Sequence, residues 1–278
     1  MNRKWKIASL LMAAVVMVST MGTVTADAAS KASAVKKARP KVTLTAGEGQ
    51  VTVKWKKIKK AKGYQVYRSM KKKGTYKRIA TIKKGSRVKY INKKLKKGKR
   101  YYFKVRAYTK TGGKKVYSKY SKVKSVTTLT KLQAQTKNFL SKATRSSMSK
   151  EQKLRASYSY MRDHYKYIPR AMVSQNNKNW VDSYASRFFA DKGGNCYSWA
   201  AAYTTVAKNL GYSARAAAGT LYYADGTEWG EHSWTEIRMG GQTYIFDPEI
   251  EYAQKRQGKQ VSLYKITKNN GLFIYEER

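Results

Sequence analysis

The sequence is short of the residues that most often carry cross-links and metal ions. One cysteine, two histidines and three prolines are spread over 278 residues. A single thiol excludes an internal disulfide, so hydrophobic cores must hold the fold together. One cysteine and two histidines also lack the spacing of a zinc site, and we therefore expect no metal and no cofactor.

Acidic residues are nearly missing from the N-terminal half of the chain. Residues 30–130 contain 35 lysines and arginines, 29 of them lysine, and Glu48 is the only acid there. Residues 131–278 contain 22 basic and 13 acidic residues, an ordinary basic balance. This change in charge predicts two domains that meet near residues 127–131.

Long apolar runs are also lacking, except at the N-terminus. Three positive side chains precede the stretch IASLLMAAVVMVSTMG, and Ala26-Asp27-Ala28 has the small-x-small form of a cleavage site. This pattern is typical of a secretory signal peptide, because the apolar stretch is short for a membrane anchor. We expect a secreted chain with a signal peptide at 1–28, a basic linker at 29–39 and no membrane association after cleavage. An exported chain without disulfides fits a bacterium better than a eukaryotic secretory route.

Alternating apolar and polar residues predict short β-strands between residues 40 and 128. The alternation occurs at 51–56, 63–68 and 101–108, and glycine-containing turns separate these segments. This spacing favours an antiparallel sandwich of about seven strands.

The same region resembles a fibronectin type III domain. The matching residues are Trp55, Tyr64, Val66, Tyr67, Leu95, Tyr101, Phe103, Val105 and Ala107. Lys97 stands where that family usually has proline. The resemblance implies an all-β sandwich in which Tyr101 forms the tyrosine corner, and it implies no chemistry by itself.

The charge of this first domain indicates a polyanionic partner. The alternation places five aromatic and basic side chains on the outward face: Tyr67, Tyr102, Lys104, Arg106 and Tyr108. We expect this face to hold an anionic cell-wall polymer through charge and stacking. Lysine lacks the planar fork with which arginine reads bases, so we expect no sequence-specific nucleic-acid binding. The alternatives are charge-driven binding of extracellular nucleic acid and a solvated face that only keeps the protein soluble.

A polar connector at 129–149 leads to a second domain at 150–278, which contains the cysteine. Ser149 and Gln152 have the spacing of a capping box. A later apolar stripe predicts a helix that ends at Gly211, with Asn195 as its N-cap and Cys196 in its first turn. The helix dipole favours a thiolate at that position. A free cysteine is also commonly a small core residue, so position alone leaves both roles open.

A predicted β-hairpin brings a histidine close to an aspartate. Gly240-Gly241 is a two-residue turn signal, and pairing Met239 with Gln242 sets the register. His232 and Asp247 then become diagonal neighbours on one face, at a Cα distance of roughly 7–8 Å. Such a pair supplies a base and its orienting carboxylate to a cysteine nucleophile.

These residues resemble the transglutaminase-like superfamily, which comprises papain-like enzymes using Cys, His and Asp in that order. The matching segments are Gly194-x-Cys196, residues 210–215 with Gly219, His232-x-Trp234-x-Glu236 and Asp247-Pro248. Ser233 stands where many members have alanine. The resemblance covers about residues 150–255 and implies an α+β domain with a catalytic triad of Cys196, His232 and Asp247.

The resemblance also implies a mechanism through a thioester, in which the Cys196 amide helps to stabilise the oxyanion. Candidates for a second oxyanion donor or a neighbouring supporting residue are Tyr167, Trp180 and Trp234. We expect a secreted cysteine enzyme that acts on amide groups of proteins or peptides, with hydrolysis favoured over Gln–Lys transamidation. The alternative is a non-enzymatic wall-binding adhesin with a transglutaminase-like scaffold. The sequence gives no indication of the oligomeric state.

Overall fold

The computed structural model describes residues 26–171 and 180–278, and their contacts fall into two compact units. The first unit comprises residues up to Thr43, Lys54–Tyr90 and Tyr102–Lys124, and the second comprises Leu44–Val53, Ile91–Tyr101 and Ser125–Arg278. Most of the predicted signal peptide, residues 1–25, lies outside the described residues. None of the helices in the described ranges is long and apolar enough to cross a membrane.

A helix occupies the segment predicted as a basic linker. Helix α1 spans Ala26–Lys37 and therefore begins inside the predicted cleavage motif. Alanine and lysine are good helix formers, and Asp27 in the first turn suits the helix dipole. Val35 of this helix is fully buried. The segment is a helix that contributes to a core, not a linker without structure.

Eight strands follow between residues 42 and 127. They are β1 (Val42–Gly47), β2 (Gln50–Trp55), β3 (Gly63–Ser69), β4 (Lys77–Ile82), β5 (Lys89–Asn92), β6 (Arg100–Thr111), β7 (Lys114–Tyr117) and β8 (Lys124–Thr127). One sheet has the order β1-β2-β5, and the other has the order β4-β3-β6-β7 with β8 also paired to β6. The pairs β3–β4, β3–β6 and β6–β7 are antiparallel, and the predicted all-β class is confirmed for this region.

The burial of strand β6 follows the alternation in the sequence along its first half. Tyr101, Phe103 and Val105 are buried, and the residues between them are half-buried. The Tyr101 hydroxyl accepts a hydrogen bond from the backbone N–H of Lys96 at 3.1 Å. This bond back to the main chain is the tyrosine corner that the resemblance implies.

A second unpredicted helix occupies most of the connector. Helix α2 spans Lys131–Ala143 and begins with a complete capping box formed by Thr130 and Gln133. Phe139 of this helix is buried in the core of the following domain. The sequence predicts a connector here because lysine, serine and threonine surround the short apolar stripe. Residues 131–143 thus form a helix of the second domain, and the connector is shorter than predicted.

The remaining elements form an α+β domain. They are α3 (Lys150–His164), β9 (Lys166–Tyr167), α4 (Trp180–Asp191), β10 (Gly193–Gly194), α5 (Cys196–Asn209), β11 (Ser213–Tyr223), β12 (Glu228–Met239), β13 (Gln242–Phe246), α6 (Pro248–Arg256), β14 (Tyr264–Ile266) and β15 (Phe273–Glu277). Five strands make an antiparallel sheet in the order β14-β13-β12-β11-β15. Strands β9 and β10 form a separate parallel pair. The predicted α+β class is confirmed.

Helix α5 lies at the centre of this domain. Every residue from Cys196 to Ala207 is buried, and the helix packs against α4 and strands β11 and β12. Trp199, Tyr203 and Val206 are fully buried, as the apolar stripe in the sequence predicts. A helix enclosed on all sides in a close-packed core has little freedom to shift. Its first residue, Cys196, is therefore held in a fixed position.

Candidate active site

Cys196 is the first residue of α5, and Asn195 caps the helix. The side-chain oxygen of Asn195 accepts a hydrogen bond from the Ser198 N–H at 3.2 Å. Gly193, two residues before the cap, approaches the neighbouring strand so closely that a Cβ atom would lie 2.1 Å from the Lys166 carbonyl oxygen. The tight entry into the helix therefore requires glycine. The predicted N-cap and helix start are confirmed.

Strands β12 and β13 pair in the predicted register. Met239 lies opposite Gln242, and the pairing continues to Thr235 opposite Phe246. The strand ends there because the chain turns into helix α6, where Asp247 is the N-cap and Pro248 the first residue. The Asp247 Oδ1 atom accepts a hydrogen bond from the Ile250 N–H at 3.1 Å. The helix was not predicted, and its cap fixes the orientation of the Asp247 carboxylate.

His232 and Asp247 form a short hydrogen bond inside the domain. The His232 Nε2 atom lies 2.7 Å from Asp247 Oδ2, and both residues are buried. The Tyr275 hydroxyl donates a second hydrogen bond to the same oxygen at 3.0 Å. Because Asp247 occupies Nε2, the imidazole presents Nδ1 to the cavity that contains Cys196.

The charges around His232 favour its protonated form. Burial acts to lower the pKa of His232, but Coulomb attraction to Asp247 and hydrogen bonds with Asp247 and Cys196 act in the opposite direction. The net result is a pKa of His232 well above its usual value. The imidazole therefore keeps its proton at neutral pH, the state that pairs with a thiolate.

A second carboxyl group lies on the other side of the imidazole. Glu249 Oε2 is 3.8 Å from His232 Nδ1, and the Glu249 side chain is buried. Burial raises the pKa of Glu249 to about 7; the His232 charge acts to lower it and the Asp247 charge to raise it. Glu249 lies in the first turn of helix α6, beyond the end of β13, and no motif in the sequence predicts a role for it.

These groups meet in one cavity of about 640 Å³. Its lining residues are Tyr167, Cys196, Trp229, Glu231, His232, Glu249, Ile250, Tyr252, Ala253, Arg256 and Gln257. Aromatic rings form part of the wall, and a thiol, an imidazole and the carboxyl groups of Glu231 and Glu249 line the same space. Such a site can activate a thiol and present it to a polar substrate.

Residues 137–248 match the sequence model of the transglutaminase-like superfamily. The match covers less than half of the chain and includes Cys196, His232 and Asp247. We call this part of the chain the transglutaminase-like domain. No curated protein matches the chain.

The solved structures similar to this chain include several fibronectin type III domains. The domains FN1–FN3 of chicken CNTN1 are 21% identical, with a TM-score of 0.29, over 34% of this chain and 31% of that chain. A fibronectin type III domain from human KIAA0970 is 19% identical, with a TM-score of 0.31, over 38% of this chain and 84% of that one. A domain from human fibronectin type III domain containing protein 3 is 23% identical, with a TM-score of 0.29, over 34% of this chain and 88% of that one. The match spans about a third of the chicken FN1–FN3 chain.

The three residues predicted as oxyanion donors or supporting residues lie in different places within the transglutaminase-like domain. Tyr167 lines the Cys196 cavity, and burial together with the charges of Cys196 and Glu249 raises the pKa of its phenol. Trp180 lines a different cavity, where its ring contacts Tyr184 and Tyr197 edge-on. The structure therefore brings Tyr167 to the cysteine and does not bring Trp180 there.

Trp234 packs beside the histidine but offers it no hydrogen bond. Its ring is nearly parallel to the His232 ring at 6.4 Å and meets Tyr275 edge-on. The indole N–H, its one donor, is directed to Glu236 Oε1 at 3.3 Å. Trp234 thus lies beside the imidazole with its one donor directed elsewhere, and its role as a supporting residue stays a prediction.

In the first domain, the predicted polymer-binding cations contact tyrosine rings. The Lys104 Nζ atom lies 4.3 Å from the centre of the Tyr120 ring. The Arg106 guanidinium lies 3.8 Å from the centre of the Tyr117 ring and donates to Gln65 Oε1 at 2.9 Å. Cation–π contacts of this kind fix the two charges on the sheet and leave them half-buried.

Tyr108 is not on the accessible surface, and this part of the prediction is wrong. It lies opposite Gly63, which has no side chain, so the phenol folds over the glycine and reaches towards the Ile82 carbonyl. Tyr108 is only 4% exposed as a result. Tyr67 and Tyr102 are half-buried, and their part in polymer binding stays a prediction.

The described residues contain one group whose ligand atoms are close enough to hold a metal ion. His232, Asp247 and Glu249 each offer an atom, and these atoms lie within 4.8 Å of one another. Three hydrogen-bond donors already occupy the Asp247 carboxylate: His232 and the Tyr275 hydroxyl on Oδ2, and a backbone N–H on Oδ1. A carboxylate that already accepts these hydrogen bonds is better suited to orienting a histidine for proton transfer than to coordinating a metal ion. We therefore treat the three residues as acid–base groups.

Proposed function

We propose that this protein is a cysteine-dependent hydrolase of amide bonds, with Cys196 as nucleophile, His232 as base and Asp247 as the orienting carboxylate. The observation that carries the proposal is the buried 2.7 Å bond between His232 and Asp247, in the same cavity as the first residue of α5. A structural cysteine does not require a histidine with a raised pKa or a helix N-terminus beside it. The transglutaminase-like match is consistent with this enzyme class.

The reaction follows from the roles of the three side chains. The Cys196 thiolate attacks the amide carbonyl, and the N–H groups at the start of α5 stabilise the oxyanion. His232 then donates its Nδ1 proton to the leaving amine, which produces a thioester on Cys196. Asp247 holds the tautomer with Nε2–H and stabilises the imidazolium. Water then attacks the thioester, and Cys196 is released.

We favour water over an amine as the second nucleophile. Tyr167 beside the cysteine is 43% exposed, so the cavity is open to solvent at that edge. A transamidase must keep water away from its thioester for long enough to let an amine react. The protein and peptide substrates that we propose are therefore cleaved, not cross-linked.

Alkylation of Cys196 by iodoacetamide tests the Cys–His pair. We expect the wild-type protein to react faster than His232→Ala at each pH between about 5.5 and 8, because the protonated imidazole of His232 stabilises negative charge on the sulfur. The measurement is intact mass against time at each pH, with Cys196→Ala showing that no other group reacts.

His164→Ala is the matched control for this experiment. His164 is the second histidine of the chain; its Nδ1 atom bonds to the Tyr160 carbonyl and its ring stacks on Tyr160. This variant should alkylate with the wild-type profile. Equal profiles in the wild type and His232→Ala would contradict the proposal and make Cys196 a structural thiol.

We further propose that the first domain holds the enzyme on an anionic polymer of a bacterial cell wall after secretion. The support is the charge, since 35 basic residues and one acid in residues 30–130 exceed what solubility requires. The half-buried Lys104 and Arg106 are directed at tyrosine rings, so we assign most of the attraction to exposed lysines.

Salt elution from immobilised long-chain polyphosphate tests this attraction. Replacing the exposed residues Lys71, Lys72 and Lys73 with glutamine should lower the salt concentration needed for elution, because fewer counterions are released on binding. The Tyr102→Ala variant should elute at the wild-type salt concentration if charge alone contributes to binding. It should elute at a lower salt concentration if stacking contributes as well. Elution of the triple variant at the wild-type salt concentration would contradict the charge mechanism.

A further inference from the structure

Glu249 is a buried acid that the three-residue mechanism does not use. Glu251, two residues later, accepts hydrogen bonds from the Tyr158 hydroxyl and the Leu263 N–H and pairs with Arg162. In the described part of the chain, the Glu249 carboxyl accepts no hydrogen bond of normal length. A buried carboxyl group without such partners costs free energy and is retained where it has another use.

We propose that Glu249 binds the nucleophile that resolves the thioester, holding it between Glu249 Oε2 and His232 Nδ1. The inference rests on the proposed function, because it concerns the second half of the same reaction. Glu249 would then be a fourth catalytic residue, one that contacts the attacking water.

The distance between the two atoms supports this role. At 3.8 Å, Oε2 and Nδ1 are too far apart for a direct hydrogen bond, which requires about 3.2 Å or less. One water molecule lying to the side of the two atoms can make a hydrogen bond of about 2.8 Å to each of them. His232, Glu249 and Cys196 all line the same cavity, so a water molecule held in this way would lie near the thioester on Cys196.

The step balances with water as the only additional reactant. The oxygen of water forms a bond to the thioester carbonyl carbon while one of its O–H bonds breaks and the proton passes to His232 Nδ1. The second O–H group of the water donates a hydrogen bond to Glu249, and this bond directs the lone pair of the water oxygen at the carbonyl carbon. The C–S bond then breaks, and a carboxylic acid and the Cys196 thiolate are released beside the protonated His232.

The charges near Glu249 set the pH range of this step. Glu249 faces the imidazole of His232, the carboxylate of Asp247, the phenol of Tyr167 and the Cys196 sulfur, with Glu231 and Arg256 in the same cavity wall. An ionised carboxylate is a stronger acceptor than a neutral carboxyl group. Since burial raises the pKa of Glu249 to about 7, thioester hydrolysis should rise with pH through that value.

Burst kinetics with 4-nitrophenyl acetate separate the two half-reactions. Acylation of Cys196 releases nitrophenolate in a burst, and hydrolysis of the acetyl-enzyme sets the later steady rate. We expect Glu249→Gln to leave the burst rate within about threefold of the wild type and to slow the steady rate about tenfold to hundredfold. Intact mass should show the acetylated protein accumulating in this variant, and its steady rate should no longer rise near pH 7.

Glu228→Gln is the matched control, since Glu228 is an exposed acid at the start of β12, the strand of His232, and does not line the cavity. Its ratio of burst rate to steady rate should equal that of the wild type. A normal burst with an unchanged steady rate in Glu249→Gln would overturn the role of Glu249 and leave the proposed function intact. If the wild type shows no burst, or Cys196→Ala keeps one, the proposed function fails and the role of Glu249 fails with it.

Discussion

Replacing Asp247 with asparagine is expected to lower the rate of amide cleavage by about 10⁴-fold while the protein stays folded. The substitution removes one negative charge and leaves the side-chain volume almost unchanged. Its effect comes from the position of a single proton on His232. The measurement is kcat/KM on a peptide substrate, with thermal unfolding followed by circular dichroism to show that the fold is retained.

The hydrogen bonds of Asp247 explain why asparagine cannot substitute for it. Asp247 Oδ1 caps helix α6 by accepting the Ile250 N–H, whereas Oδ2 accepts from His232 Nε2 and from the Tyr275 hydroxyl. Asparagine has one oxygen, and retaining the helix cap directs its NH₂ group at His232. The imidazole must then accept at Nε2 and carry its proton on Nδ1, so a neutral His232 has no free nitrogen for the Cys196 proton.

Tyr275→Phe is the control for Asp247→Asn. It removes a different hydrogen bond to the same oxygen, but the His232–Asp247 contact and the charge remain. We expect kcat/KM to fall by about tenfold to hundredfold, far less than in Asp247→Asn, because the bond removed is a single hydrogen bond to a charged group. A loss of less than tenfold in Asp247→Asn itself would contradict the role of Asp247 in fixing the tautomer.

Local sequence signals predicted the centre of the site. Asn195 as a helix cap and the Gly240-Gly241 turn were sufficient to position Cys196 and to set the register that joins His232 to Asp247. These interactions lie within a helical turn or a hairpin, where residue spacing determines geometry. Glu249 lies beyond that register, because the strand ends at Phe246 and the chain turns into α6, so its position beside His232 had to be observed in the structure.

Interactions between distant segments were not predictable in the same way. Tyr275 reaches Asp247 because β15 pairs with β11, and no motif in the sequence specifies that pairing. Tyr108 is buried because Gly63 lies opposite it on the neighbouring strand, although strict alternation directs it outward. Such outcomes depend on which strands become neighbours, which a single sequence does not encode locally.

Replacing Glu251 with alanine is expected to destabilise the transglutaminase-like domain by about 3–5 kcal/mol. Glu251 is 4% exposed and accepts hydrogen bonds from the Tyr158 hydroxyl at 2.8 Å and the Leu263 N–H at 2.7 Å. It also forms an ion pair with Arg162, so one carboxylate joins α3, α6 and the segment before β14. Alanine leaves two buried donors and a partly buried cation without their acceptor.

Urea unfolding followed by tryptophan fluorescence measures this loss. The control is Glu228→Ala, which removes an exposed acid and should change the free energy of unfolding by less than about 0.5 kcal/mol. If Glu251→Ala unfolds within 1 kcal/mol of the wild type, on the order of a surface change, the three contacts do not act as a buried network.

The double variant Arg162→Leu/Glu251→Leu separates the charge from the hydrogen bonds. Removing both partners leaves no unpaired buried charge, so this variant should be more stable than Glu251→Ala. It should still be less stable than the wild type, because the Tyr158 hydroxyl and the Leu263 N–H lose their acceptor in either case. Stability equal to that of Glu251→Ala would assign the whole effect to the two hydrogen bonds. Glu249 lies in the same helix as Glu251, and Asp247 caps that helix, so the positions of both depend on this network.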